Sequence, residues 1–230
     1  MRRRLGIIAL AAALIGATAA QAGPQVVRAT FYGYRGDTRI WTDEITTEKG
    51  KIEDIIDGTA DNPDREATTL PGTTTGEIFT ETLKGILAHN VAVKGEYVNI
   101  YDGEGMTGMV MVEDPPLVFD PTFPSHYGML LEKYSASRGG TQKFSVIIPE
   151  KGDYCRVEIS PRPPASIPVG ETRKESKVYQ FRVEYNQYVT VWTLDNAVAA
   201  VYVPWKNEYM VDAKYPMLHQ KIQMLVKRSM

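Results

Sequence analysis

Three histidines, one cysteine and 28 acidic residues are the groups through which this chain of 230 residues could do acid–base, metal or nucleophilic chemistry. His89, His126 and His219 lie far apart, and no pair has the His-x-x-x-His spacing that brings two imidazoles onto one zinc ion. Cys155 lies in Tyr154-Cys155-Arg156-Val157-Glu158-Ile159, where strand alternation puts it beside Val157 and Ile159. That company reads as a core thiol, and a lone cysteine can close no internal disulfide. Ser125 and His126 are adjacent, and neighbours on an extended chain point apart, so they make a poor nucleophile–base pair. No Gly-x-Ser-x-Gly elbow occurs.

The acids offer no clearer motif. Asp114 and Asp120 sit in a Pro-rich stretch, where acids stabilise turns. Glu53, Asp54 and Asp57 read as a solvated strand edge. Asp102-Gly103-Glu104-Gly105 has acids and glycines but lacks the alternating ligands and later bidentate Glu of a calcium loop. No Gly-rich phosphate loop is present. These residues assign no catalytic group, metal or cofactor. A hydrolase using His126 with an acid from 114–124 stands as an alternative function.

Apolar surface is the stronger signal. Tyr179, Phe181, Tyr185, Trp192 and Tyr202 crowd the C-terminal third, with Tyr188, Trp205 and Tyr209 among them, and Met106, Met109, Met111 and Met129 lie mid-chain. Methionine adapts to varied ligands, and Tyr or Trp presents an apolar body with a polar tip. Thirteen Tyr against six Phe suits a half-wet surface. Tyr179, Phe181, Tyr185, Trp192, Tyr202, Met109 and Met111 are therefore the candidate ligand-binding residues.

The elements that must position them are mostly strands. Runs of β-branched and aromatic residues alternate with turn signals. Lys177–Tyr185, Tyr188–Leu194, Ala197–Val203 and Asn207–Ala213 form an antiparallel meander with turns at Asn186-Gln187 and Asp195-Asn196. Gly95–Tyr101, Met106–Val112, Tyr127–Ser135, Gln142–Ile148 and Tyr154–Ser160 read as further strands, and residues 58–76 and Pro161–Glu175 as loops. Thr74-x-x-Glu77 resembles a capping box, and Ile78, Phe79, Leu83, Ile86 and Leu87 recur at helical spacing, predicting one amphipathic helix over Gly76–His89. A short helix is predicted over Met217–Val226. The expected fold is a curved antiparallel sheet or partial barrel of about ten strands with a central helix, in one domain over 23–230.

Met1-Arg2-Arg3-Arg4, the apolar Leu5–Leu14 and Ala20-Gln21-Ala22 follow the order of a secretory leader, with cleavage expected after Ala22. The apolar run falls short of the roughly 20 residues that a membrane span needs. Periplasmic or secreted localisation follows. Loss of the three arginines moves the net charge from −2 to about −5. An acidic chain without a basic patch argues against a nucleic-acid partner. No later segment is apolar enough for a transmembrane helix.

Three stretches resemble a known family: the early strands around Gly36-Asp37 and Thr42–Thr47, the central Leu70-Pro71-Gly72 with Ile78-Phe79, and the ending Tyr188-Val189-Thr190-Val191-Trp192-Thr193-Leu194-Asp195-Asn196 leading to Val198–Pro204. In this order they are similar to bacterial envelope proteins of the DUF3108 type, and in expected shape to periplasmic lipoprotein carriers. The Pro-rich 114–124 stretch departs from that pattern. The resemblance implies a hydrophobic concave face or a role in envelope maintenance, with a lipid, another apolar group or a partner strand as the occupant. It supplies no catalytic residues. A structural or interaction module of the envelope without a small ligand is the other expectation.

Overall fold

The computed structural model describes residues 26–59, 62–111, 116–183 and 187–229. The expected leader and cleavage site, and Tyr185, lie outside the described residues.

Fourteen antiparallel strands form one sheet among the described residues, more than the ten expected. The first meander is β1 (Val27–Arg35), β2 (Thr38–Glu48), β3 (Lys51–Asp57), β4 (Arg65–Thr69), β5 (Gly76–Leu83), β6 (Ile86–Lys94), β7 (Tyr97–Asp102) and β8 (Gly105–Met111). Helix α1 (Pro124–Lys133) follows. The second meander is β9 (Gln142–Ile148), β10 (Asp153–Val169), β11 (Thr172–Val183), β12 (Gln187–Leu194), β13 (Ala197–Val203) and β14 (Glu208–Asp212), and α2 (Leu218–Ser229) ends the chain. The meanders join where β14 pairs with β1, in register Tyr32 with Val211, so β8 and β9 are the two edges.

The sheet curls strongly. Its inner side chains, from Phe31 on β1 to Val98 and Ile100 on β7 and Val157 on β10, form one core cluster. The edges approach at one end: a Cβ placed on Gly108 of β8 would meet the Gly152 carbonyl at 2.0 Å, so only glycine fits there. Farther along, Phe119 N–H donates to Ile147 O (2.9 Å) and Ile147 N–H donates to Leu117 O (2.8 Å), covering part of the free edge of β9 with the returning chain. Helix α1 fills the inner face through Tyr127 and Leu130, and Tyr127 meets Phe181 edge-on at 5.3 Å. Helix α2 covers the outer face of the second meander, packing Leu218 and Ile222 against Trp192, Tyr202 and Tyr209.

Four expectations need correction. Gly76–His89 is a β-hairpin rather than a helix. Lys84 (φ 51°) and Gly85 (φ 76°) form a left-handed two-residue turn that suits paired strands, while Phe79, Glu81, His89 and Val91 point inward. The helix lies instead over Pro124–Lys133, including most of the Tyr127–Ser135 segment expected as a strand; Pro124 suits a first helical turn, where its missing N–H costs nothing. Pro161–Glu175 belongs to β10 and β11. Beyond Ile159, β10 has no pairing with β9, so Pro161 and Pro168 sit on an open edge, and Pro163 and Pro164 fall within a register shift. Finally, residues 58–76 are not all loop, because β4 lies within them.

Candidate functional site

Alternation carries charge into the curl. On β2 the inward residues are Trp41, Asp43 and Ile45; on β3 they are Ile52, Asp54 and Ile56. Asp43 pairs in register with Ile56, and Ile45 with Asp54, which makes the two carboxyls diagonal neighbours on one face. Both residues have no solvent exposure. The Ser125 hydroxyl, in the first turn of α1, donates to Asp54 Oδ2 at 2.9 Å. The carboxyls of Asp43 and Asp54 face each other, and Asp43 faces the Ile55 backbone, but neither oxygen of Asp43 nor Oδ1 of Asp54 reaches good hydrogen-bond geometry. Burial pushes Asp43 up to about 8, helped by the charge of Asp54. Burial also pushes Asp54 up to about 7, against the stabilising hydroxyl of Ser125. The pair thus holds at least one proton at neutral pH, since two adjacent buried carboxylates repel. Asp54 is no solvated edge residue: Glu53 and Asp57 face outward beside it.

A second polar group lies beside this pair and is satisfied throughout. Arg65 of β4 donates through Nε to Glu81 Oε1 (2.5 Å), through Nη1 to Thr122 (2.7 Å) and through Nη2 to Asp120 Oδ2 (3.0 Å). Its guanidinium stacks over Phe123 at 4.7 Å. His89 Nδ1 reaches Glu81 Oε2 at 2.8 Å, and that bond raises the histidine pKa. Burial pushes Asp120 up, but Arg65 and the Thr122 hydrogen bonds outweigh it and hold the carboxyl below its usual range.

His126 does not serve as a base for Ser125. The Asp120 backbone N–H donates to its Nδ1 (2.8 Å), which leaves Nε2–H to donate to Thr69 Oγ1 (2.9 Å). Burial pushes its pKa down to about 4, so the ring is neutral. The Asp120 carboxylate turns to Arg65 instead.

Two cavities open near the aspartate pair, lined by its strand neighbours Trp41, Ile45, Ile52 and Ile56 and not by Asp43 or Asp54 themselves. One of about 360 Å³ opens beside Trp41, Ile56, Arg65 and Thr122. The other, of about 550 Å³, is walled by Phe31, Ile45, Ile52, Leu131, Tyr179 and Val198, and Ser125 contributes to its lining. Exposed Arg28, Lys177 and Lys214 stand among its outer residues.

The expected ligand-binding residues are dispersed. Tyr179 lines the larger cavity, while Phe181 is buried behind it in the inner core. Trp192 and Tyr202 lie in the outer cluster under α2, where Tyr202 stacks on Tyr209 at 4.5 Å. Met109 and Met111 are 58% and 67% exposed on β8. Sequence reading missed Ser125, Asp43 and Asp54. The patterns Trp41-x-Asp43-x-Ile45 and Ile52-x-Asp54-x-Ile56 held the signal for the two acids: an acid at the inward phase of an apolar alternation. Ser125 lies 71 residues from Asp54, so their contact depends on tertiary structure.

Among the described residues, no group of three or more His, Cys, Asp and Glu side chains is placed to hold a metal ion, and no helix is long and apolar enough to cross a membrane. Comparison with protein-family models, curated proteins and solved structures finds no match to this chain.

Proposed function

We propose that this is an exported envelope protein that holds an acyl chain or a similar amphipathic ligand in the larger cavity. The observation that carries the reading is the composition of that cavity: an apolar wall of Phe31, Ile45, Ile52, Tyr179 and Val198, with three cations, Arg28, Lys177 and Lys214, against two acids, Glu132 and Asp212, the latter 4.0 Å from Lys214. Its volume of about 550 Å³ falls in the range of small-molecule sites, roughly 300–1,000 Å³. An apolar tail gains by leaving water, and a polar head meets the mixed charges of the lining, among which Arg28 and Lys177 can receive an anion. The Arg-rich leader pattern and the resemblance to DUF3108-type envelope proteins support the same setting. Titration of the mature protein with a fluorescent fatty acid tests the reading. Saturable uptake, blocked by filling the cavity with Val198→Trp, is expected; no uptake by a folded wild type overturns it.

A second reading is favoured by β8. This edge strand exposes Met106, Met109 and Met111 beside the half-exposed Tyr97 of β7. An extended strand of an envelope partner would pair at the Met109–Met111 end, beyond the contact of Gly108 with Gly152. Met109→Lys and Met111→Lys should then abolish recovery of the partner from envelope extract while leaving fatty-acid uptake intact.

A further inference from the structure

The feature that ligand holding leaves unexplained is a serine at the cavity lining whose hydroxyl is bonded to a buried carboxyl. Ser125 occupies the first turn of α1, lines the larger cavity and is hydrogen-bonded to Asp54 at 2.9 Å. Asp54 is backed by fully buried Asp43, whose carboxyl faces that of Asp54 without good hydrogen-bond geometry on either oxygen. The parts stand in the order of a nucleophile, a base within hydrogen-bond reach, and a third group that sets the base. We propose that Ser125 is a nucleophile and Asp54 its general base, and that together they cleave the carboxylic ester bond of an acyl ester held in this cavity. This inference rests on the cavity accepting an acyl chain.

The chemistry closes on these groups and water. Asp54 takes the hydroxyl proton as Ser125 Oγ attacks the ester carbonyl carbon. The tetrahedral intermediate collapses by breaking the bond to the alcohol oxygen, which leaves with the proton from Asp54. Ser125 is now acylated. A water molecule entering from the cavity attacks the acyl carbon and gives its proton to Asp54. The Oγ–acyl bond breaks, Ser125 takes that proton back, and a carboxylic acid departs. Ester and water become acid and alcohol, with no other reactant.

Two features of the site favour these steps. The positive end of the α1 dipole lies at Ser125, where charge develops on the carbonyl oxygen during attack. A carboxylate in a dry setting is also a stronger base than one in water, because burial disfavours its charged form. Asp43 acts as a positioning residue. By keeping its own proton it allows Asp54 to ionise without a second charge beside it. Arg65, Asp120 and neutral His126 are the other titratable groups around the pair, and each is occupied by the hydrogen bonds described above.

The test uses the mature full chain. It is incubated with an alkyl fluorophosphonate, which phosphonylates activated serines, and separately with p-nitrophenyl esters of increasing acyl length. The expected result is one adduct, mapped by mass spectrometry to Ser125, and hydrolysis that rises with acyl length. Ser125→Ala should abolish both. Asp54→Asn should slow them by about 10²–10⁴-fold, the usual range for loss of a general base. Asp43→Asn should retain the adduct but shift the pH at which hydrolysis is half-maximal, a change that a purely structural role would not produce. Melting curves matching wild type establish that the variants are folded. No adduct on Ser125, or hydrolysis equal in wild type and Ser125→Ala, overturns the inference. Fatty-acid uptake by the same wild-type sample separates the two claims. Uptake without hydrolysis leaves the carrier standing, while absence of both removes carrier and hydrolase together.

Discussion

Strands β1–β8 and β9–β14 are each an antiparallel meander lining one curled sheet, yet their inner faces differ in chemistry. The first carries Asp43, Asp54, Arg65, Glu81 and His89 inward. The second presents Val157, Phe181, Val191 and Val201, with Glu208 and Asp212 at its ends. Buried charge is costly to keep, so a core built for stability alone would resemble the second face throughout. The charged face meets the segment 120–126, which brings in Asp120, Thr122, Ser125 and His126. Within that face, Arg65 and its partners are fully bonded, whereas the Asp43–Asp54 pair has three oxygens without good hydrogen-bond geometry. The Arg65 group therefore reads as support, and the aspartate pair with Ser125 as the working part.

Truncation in each half sharpens the contrast most. Arg65→Ala leaves Glu81 and Asp120 without their counter-charge and should cost about 3–5 kcal/mol, the range for breaking a buried ion pair. Phe181→Ala in the dry half should cost about 3–5 kcal/mol by opening a cavity against Tyr127. Denaturant melts at pH 5 and pH 8 separate the causes. The Arg65→Ala loss should shrink at low pH, where Asp120 can take up a proton, and the Phe181→Ala loss should be the same at both. Equal pH behaviour would erase the distinction between the halves.

Of similar size is the pH dependence of the wild type. Asp43 and Asp54 are raised in the folded state from 3.8 to about 8 and about 7. The folded chain therefore keeps protons that the unfolded chain releases, and the pair's contribution to stability falls as pH rises from about 4 to about 8. Asp43→Asn should remove somewhat more than half of that slope, since Asp54 is raised mainly by its own burial, and should gain several kcal/mol, on the order of 5, at pH 8.5, with little change at pH 4. Thermal melts across that range check it; an unchanged slope would mean the pair is already ionised. The smallest effect belongs outside. Lys174→Ala breaks a solvent-exposed ion pair with Asp195 and should leave the melting temperature nearly unchanged, with any difference lost in salt.

The C-terminal meander was legible because Tyr179, Phe181 and Val183 alternate against polar neighbours and Asp195-Asn196 marks the turn, where both residues have positive φ. Elsewhere local signals coincided with the wrong element. Ile78, Phe79, Leu83, Ile86 and Leu87 match helical spacing, but only Ile78 and Phe79 are buried, while Leu83, Ile86 and Leu87 stand exposed around the Lys84-Gly85 turn. The prolines of β10 look like breakers until the absence of a partner beyond Ile159 is known. The acids were harder still. Asp43 and Asp54 sit in readable alternations, but an inward acid gains meaning only from what lies opposite it, and Ser125 comes from a distant helix.

The central claim is that the charged half holds a carboxyl pair that keeps at least one proton at neutral pH. Carbon-13 NMR titration of the Asp side-chain carboxyls, assigned with Asp43→Asn and Asp54→Asn, measures this directly. The account predicts two coupled transitions centred near 7 and 8. Both carboxyls ionised by pH 5, like exposed aspartates, would contradict it.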